Sequence, residues 1–212
     1  KAQQTVSHPA GNSLQATSGT FSGAVSTASA TVTGGLNVGT IKEATGTNTA
    51  IAIDSSGRVT MANTTQIDMW RLTADFGTNS STVTGWGQSN SAWEATVGAS
   101  MAESSGIFTF PNTGLYKITG TFFMVLASGD ISAGLSIDVS SDSGSNYDTV
   151  AQAVESYGQN TSAAFQTLIN VTDASTFRVL LRTSGFNSGT TVAGNSTINI
   201  SCLMFERITD AQ

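Results

Sequence analysis

The chain has 212 residues, 39% of them apolar, with 22 Gly and only 2 Pro, enough for one sizeable core plus something smaller. Charged residues make up 10%, against roughly a quarter in ordinary globular domains, and polarity comes from 29 Ser and 32 Thr, a usage that favours strands and turns over helices. A net charge of −6 with 8 Lys and Arg leaves no basic stripe for phosphates, so nucleic acid is excluded as a partner, and no apolar run nears the length of about 20 residues that spans a bilayer.

The chain opens at Lys1 without an initiating Met or the apolar core of a signal peptide, which fits a processed or excised fragment. Residues 1–65 hold one of the 16 aromatic residues, Phe21, and five of the 22 charges, too little to build a core alone. Residues 1–30 read equally as extended structure and as a Ser/Thr/Gly linker. Beyond them, Leu36 and Val38, then Ile51 and Ile53, then Val59 and Met61 alternate with polar residues, and Asp54-Ser55-Ser56-Gly57 predicts a hairpin turn. Strands this thin expose their edges on a lone chain, and wrapping three copies around one axis removes that exposure. The stretch GGLNVGTIKEATGTNTAIAIDSSGRVTMAN resembles the short β-repeats in shafts and necks of bacteriophage tail fibres.

From residue 66 the chain turns aromatic. Asp68, Trp70, Leu72 and Phe76 alternate with Met69, Arg71 and Thr73, predicting a strand, and residues 77–92 predict a polar loop holding Trp86 between two glycines. In GIFTFPNTGLYKITGTFFMVL (residues 106–126) two apolar runs meet at a Pro-x-x-Gly corner. Ile118, Gly120, Phe122, Met124 and Leu126 face one way there, and Lys117, Thr119, Thr121, Phe123 and Val125 the other. Ile131 to Val139 alternates strictly with Ser132, Gly134, Ser136 and Asp138, predicting a strand with one wet face. Further strands are predicted around residues 149–154, 163–171 and 177–182. The last is predicted to carry Ile198, Ile200, Cys202 and Met204 on one face, with Cys202 a small buried hydrophobe.

Short strands joined by polar turns predict an all-β sandwich or jelly roll. The segment GIFTFPNTGLYKITGTFF resembles the signature of the C1q and tumour-necrosis-factor-like family, a G-x-F-x-x-P-x-x-G-x-Y-x-(apolar) pattern, and AAFQTLINVTDASTFRVLL extends the likeness; the ending Cys-Leu-Met-Phe-Glu-Arg-Ile departs from it. The resemblance covers about residues 66–208 and implies a ten-stranded jelly roll that forms a homotrimer, with both chain ends on one side. The expected architecture is thus a C1q/TNF-like jelly-roll head, residues 66–212, on a thin β-rich trimeric shaft or neck, residues 1–65. Phe123, Val125 and Leu180, apolar on the outward strand faces, are expected at the trimer interface.

Catalytic chemistry is poorly provided for. His8 is the only histidine and sits in the sparse N-terminal tract, Cys202 is the only cysteine, and Glu94, Glu103, Glu155 and Glu206 are scattered, so no triad, zinc set or carboxylate pair is indicated. Asp142-Ser-Gly-Ser-Asn146-Tyr-Asp148 places oxygens at alternating positions but lacks the rest of a calcium loop, and an Asx-stabilised turn is the simpler reading. The expectation is a non-enzymatic virion protein without cofactor, a homotrimeric phage fibre that binds a host cell-surface glycan. In the arrangement that the family resemblance implies, the loops near 77–92, 127–130, 156–161 and 185–195 lie farthest from the chain ends; these distal loops are expected to carry the binding, with Trp86, Tyr157, Phe186 and Asn187 as candidate contacts. The alternatives are a capsid decoration or head fibre whose partners are other virion proteins, and a polysaccharide-degrading tail spike.

Overall fold

A computed structural model describes residues 40–42, 49–53, 59–61, 66–88, 96–130, 132–156 and 160–212. The predicted strands before residue 40, His8, Trp93, Glu94 and Tyr157 lie outside these residues. Among the described residues there are fourteen strands and no helix.

The first three strands form a small antiparallel sheet of their own. Strand β1 (Thr40–Lys42) pairs with β2 (Thr49–Ile53), and β2 pairs with β3 (Val59–Met61) with Ile51 opposite Met61 and Ile53 opposite Val59. The latter pair is the hairpin predicted from the Asp-Ser-Ser-Gly turn.

Two antiparallel sheets follow, built from eleven strands, one more than the resemblance implies. The larger joins β4 (Gln66–Leu72), β5 (Trp86–Gln88), β8 (Gly114–Val125), β11 (Asn160–Val171) and β14 (Cys202–Thr209) in the order β11-β8-β14-β4-β5, with β13 (Thr191–Val192) also on β8. The smaller joins β6 (Ala102–Ser104), β7 (Ile107–Thr109), β9 (Ala133–Ser140), β10 (Asp148–Glu155) and β12 (Arg178–Ser184) in the order β10-β9-β12-β7-β6. The non-sequential order is that of a jelly roll.

Strand β8 has the predicted sidedness: Tyr116, Ile118, Phe122, Met124 and Leu126 are buried, while Lys117, Thr119, Phe123 and Val125 are half-buried and Thr121 is exposed. At its start, a Cβ on Gly114 would collide with Arg207 Nε and lie 2.9 Å from the Thr209 carbonyl, so the Pro-x-x-Gly corner needs its glycine for close approach. At its middle, a Cβ on Gly120 would lie 2.6 Å from the Phe165 ring, which packs on Phe122 with centroids 5.2 Å apart. The core continues through edge-on ring contacts of Phe108 with Trp70 and Trp86.

Strands β9 and β14 depart from the sequence expectation. Ser136 and Asp138 of β9, predicted to face water, are 7 and 4% exposed, and Ser140, which ends the strand, is 2% exposed. β9 lies between β10 and β12, and its outward groups satisfy one another: Asp138 accepts from Ser136 Oγ (2.8 Å), Thr149 Oγ1 (2.8 Å) and Arg182 Nε (2.6 Å). In β14 the sides are exchanged. Leu203 and Phe205 enter the core, Cys202 and Met204 are half-buried on the outward face, and Ile198 and Ile200 precede the strand, the former 58% exposed. Both faces of this strand are apolar, so alternation alone does not say which is inward.

Inside the larger sheet, Asp68 is fully buried. Its carboxylate accepts from Trp70 Nε1 (2.9 Å), Gln88 Nε2 (3.0 Å), Thr96 Oγ1 (3.3 Å) and the Met101 amide (2.8 Å), which ties β4, β5 and the approach to β6 together. At the sheet margin, β10 pairs only with β9, breaks register between Thr149 and Ala151, and exposes Val150 and Val154.

Two stability effects are expected. Asp68→Ala strands four donors and lowers unfolding stability by about 3 kcal/mol, and Gly120→Ala forces the Phe122–Phe165 pair apart and lowers it by about 2 kcal/mol. Urea titration followed by tryptophan fluorescence measures both, and an unchanged midpoint for either variant contradicts the role given to that residue.

Candidate functional site

Strand directions bring residues 73–85, 126–130 and 185–195, together with Ser156 and Asn160, to one end of the sandwich, whereas residues 86–88 of the first predicted loop run back along β4 as β5. β8 ends at Val125 opposite Asn160, the start of β11, and opposite Thr191 of β13. β4 ends at Leu72 and β12 at Ser184, with Thr82 bridged to Arg182. Chain residues 209–212 lie at the opposite end, where Asn170 holds Gln212.

Side chains lace the loops at that distal end. Thr183 Oγ1 donates to the Thr78 carbonyl (2.6 Å), Asn79 Oδ1 accepts from the Phe186 amide (3.0 Å), and Asp75 Oδ1 accepts from the Gly194 amide (2.9 Å). Asp130, 6% exposed, accepts from the Asn187 amide (3.2 Å), from Asn187 Nδ2 and from Thr190 Oγ1, while Thr190 Oγ1 accepts from the Ala127 amide (2.8 Å). The loops at 126–130 and 185–190 therefore form one structure around a buried carboxylate.

Of the four residues predicted to contact a ligand, only Asn187 is described and exposed. Trp86 is 7% exposed: it opens β5, packs edge-on against Phe108 and Phe122 and donates its indole N–H to the Val83 carbonyl at 2.8 Å. Phe186 is 4% exposed and belongs to the same core. Neither ring has a free face for a sugar, because the flanking segments turn both inward. Tyr157 lies outside the described residues. Asp130 and Thr190, which hold Asn187, are not singled out by the sequence, since a lone Asp after Ser-Gly reads as an ordinary turn.

A second surface is the outward face of the larger sheet. Phe123 and Val125 are half-buried there towards the distal end, Met204 and Met69 are half-buried further along, opposite Thr119, and Leu168 and Ile208 are 58% and 47% exposed near Lys117. Lys117, Gln166, Thr167, Leu168 and Ile208 line a cleft of about 560 Å³ on it. Leu180, predicted at the same interface, lies instead on the smaller sheet and is only 3% exposed. Arg178 and Arg182, on either side of it on the same face, both act on the Tyr147 hydroxyl, and the Ser143 amide bonds the Thr176 carbonyl at 2.8 Å. The 141–147 turn thus folds back over that part of the sheet, and Leu180 is covered by its own chain.

The carboxylates serve local structure. Glu103 Oε1 accepts from the Gly106 amide (2.6 Å) and Glu155 Oε2 from Thr161 (3.0 Å). Asp142 accepts from Ser140 Oγ (2.6 Å), the Asn146 amide (2.9 Å) and Asn146 Nδ2 (2.7 Å), an Asx-stabilised turn with its oxygens in use. The Ser140 hydroxyl and then the two Asn146 donors hold the Asp142 carboxyl down to about 2. Among the described residues no group of three or more His, Cys, Asp or Glu is placed to hold a metal.

Two outcomes are expected. Phe186→Ala lowers unfolding stability by about 3 to 5 kcal/mol, as truncation of a core aromatic does, and a loss below 1 kcal/mol contradicts its burial. A folded-state value below the ordinary one means that the Asp142 contacts stabilise the turn fully above about pH 4 and are lost as pH falls towards 2. The Asn146 amide resonance should titrate with a midpoint near 2, and Asp142→Asn should abolish that titration.

No family model matches the chain, and no curated protein sequence does. Solved structures do. The Eiger TNF from S. frugiperda superposes with a TM-score of 0.55 at 11% identity, covering 71% of this chain and 96% of that one. Murine APRIL at pH 8.5 superposes with a TM-score of 0.51 at 10% identity, covering 68% of this chain and 98% of that one. At such identities the likeness is one of fold, and the chain carries an all-β jelly-roll sandwich of TNF-like type.

Proposed function

We propose that the chain is a non-enzymatic, homotrimeric bacteriophage fibre protein, with residues 1–65 as shaft or neck and 66–212 as a head that binds a host cell-surface glycan. The observation that carries the reading is the outward face of the larger sheet, which is apolar along its length: Leu168 and Ile208 stand exposed near Lys117 at one end of β8, Met204 is half-buried opposite Thr119, and Phe123 and Val125 are half-buried towards the other end. A surface of this kind is costly in water and is relieved by subunit contact. The thin β1–β3 sheet supports the same symmetry, since narrow antiparallel strands gain most from wrapping with copies of themselves. Three weak sites on one rigid head then raise affinity for a repeating surface by roughly 10² to 10⁴ through avidity.

Three chains of 21.7 kDa make a particle of about 65 kDa, which light scattering should return, and Phe123→Asp with Val125→Asp should reduce it to a monomer. A wild-type monomer contradicts the assembly. Labelled protein should stain host cells. Retention on the phage's own shell with unstained cells would favour instead the role of a capsid decoration or head fibre, bound to other virion proteins.

A further inference from the structure

Among the described residues the loops at the distal end contain no Lys or Arg: residues 73–85, 126–130 and 185–201 are free of both. The two arginines nearest that end do not compensate. Arg71 is 7% exposed, and Arg182 donates to Asp138 at 2.6 Å. An anionic ligand would therefore meet no counter-charge there, and the chain's net charge of −6 would oppose its approach. A cationic ligand fares no better at the 126–130 and 185–190 loops, where the Asp130 carboxylate is 6% exposed and taken up by Asn187 and Thr190; the exposed Asp75 stands on another loop and already accepts from the Gly194 amide.

What the end offers is neutral and directional. Because Asn187 Nδ2 donates to Asp130, its amide is fixed in one orientation, and Oδ1 remains as an acceptor on an exposed residue. Ser128 and Ser188 lie exposed on the same pair of loops. A Cβ at Gly129 would meet nothing within 4 Å, so the backbone lies open to close approach.

We propose that the distal end takes an uncharged, hydroxyl-rich ligand, a neutral sugar, with Asn187 Oδ1 accepting a sugar hydroxyl and Asp130 acting as the residue that positions Asn187. The assignment rests on the receptor-binding reading and narrows it. It excludes polysaccharides recognised through uronate, sialate, sulfate or phosphate groups.

The purified full chain is tested for retention on immobilised neutral polysaccharides (dextran, mannan, galactan) and on anionic ones (polygalacturonate, hyaluronan). Retention is expected on at least one neutral member and on neither anionic one, and should hold from about 50 to about 500 mM salt, since no ion pair is involved. Asn187→Ala should reduce neutral retention by about tenfold or more at a temperature where circular dichroism shows the variant folded, a control needed because the change also removes a donor from Asp130, and Asp130→Asn should reduce it in parallel. Ser188→Lys should add salt-sensitive retention on polygalacturonate. Salt-sensitive binding of the wild type to the anionic set, or neutral binding unchanged by Asn187→Ala, overturns the proposal. Retention on neither set also overturns it; stained host cells would then leave the receptor reading standing, and unstained cells would remove both.

Discussion

The burial of one face of β8 is the constraint to which the rest of the jelly roll is fitted. Twelve residues long, it pairs with β11 along its whole length and with β14 and β13 on its other side, so its inward row sets the floor of the core. Tyr116, Ile118, Phe122 and Met124 occupy that row without exposure, and the absent side chain of Gly120 makes room for two phenyl rings. Overpacking there would be felt by both neighbouring strands at once, because interiors this dense have little slack.

Polar groups are handled by clustering rather than by exposure. Asp68, Asp130 and Asp138 are each buried, and each is surrounded by three or four donors, most from distant parts of the chain. A buried carboxylate without such partners would be strongly destabilising; with them it acts as a clip between segments far apart in the chain. The three clips divide the labour: Asp68 joins β4 to β5 and to the segment before β6, Asp138 joins β10 to β12 across β9, and Asp130 joins two distal loops.

How much of this was legible depended on contrast within each strand. β8 and the β2–β3 hairpin were readable because polar residues mark one side or one turn. The faces of β14 were not, since Cys202 and Met204 are as apolar as Leu203 and Phe205. Trp86 was misplaced because Gly85 and Gly87 read as loop signals, whereas the indole is drawn inward by Phe108 and by the Val83 carbonyl. Leu180 was misplaced because its cover comes from a turn more than thirty residues earlier. The three clips were invisible for a related reason: an aspartate in a strand or turn looks solvated until its donors, brought in by the fold, are known. The all-β class followed from pattern, and the jelly roll and the distal position of the loops from the family resemblance; the residues that shape the distal surface followed from neither.

The irregularity of β10 has a bearing on life in a crowded assembly. A straight margin carrying Val150 and Val154 would invite a neighbouring molecule to add its own strand there, the route by which β-proteins polymerise. The extra residue between Thr149 and Ala151 twists the margin and spoils the even spacing of its amide groups, so no second chain can zip along it. Copies of the chain at high local concentration would then stay separate along this margin.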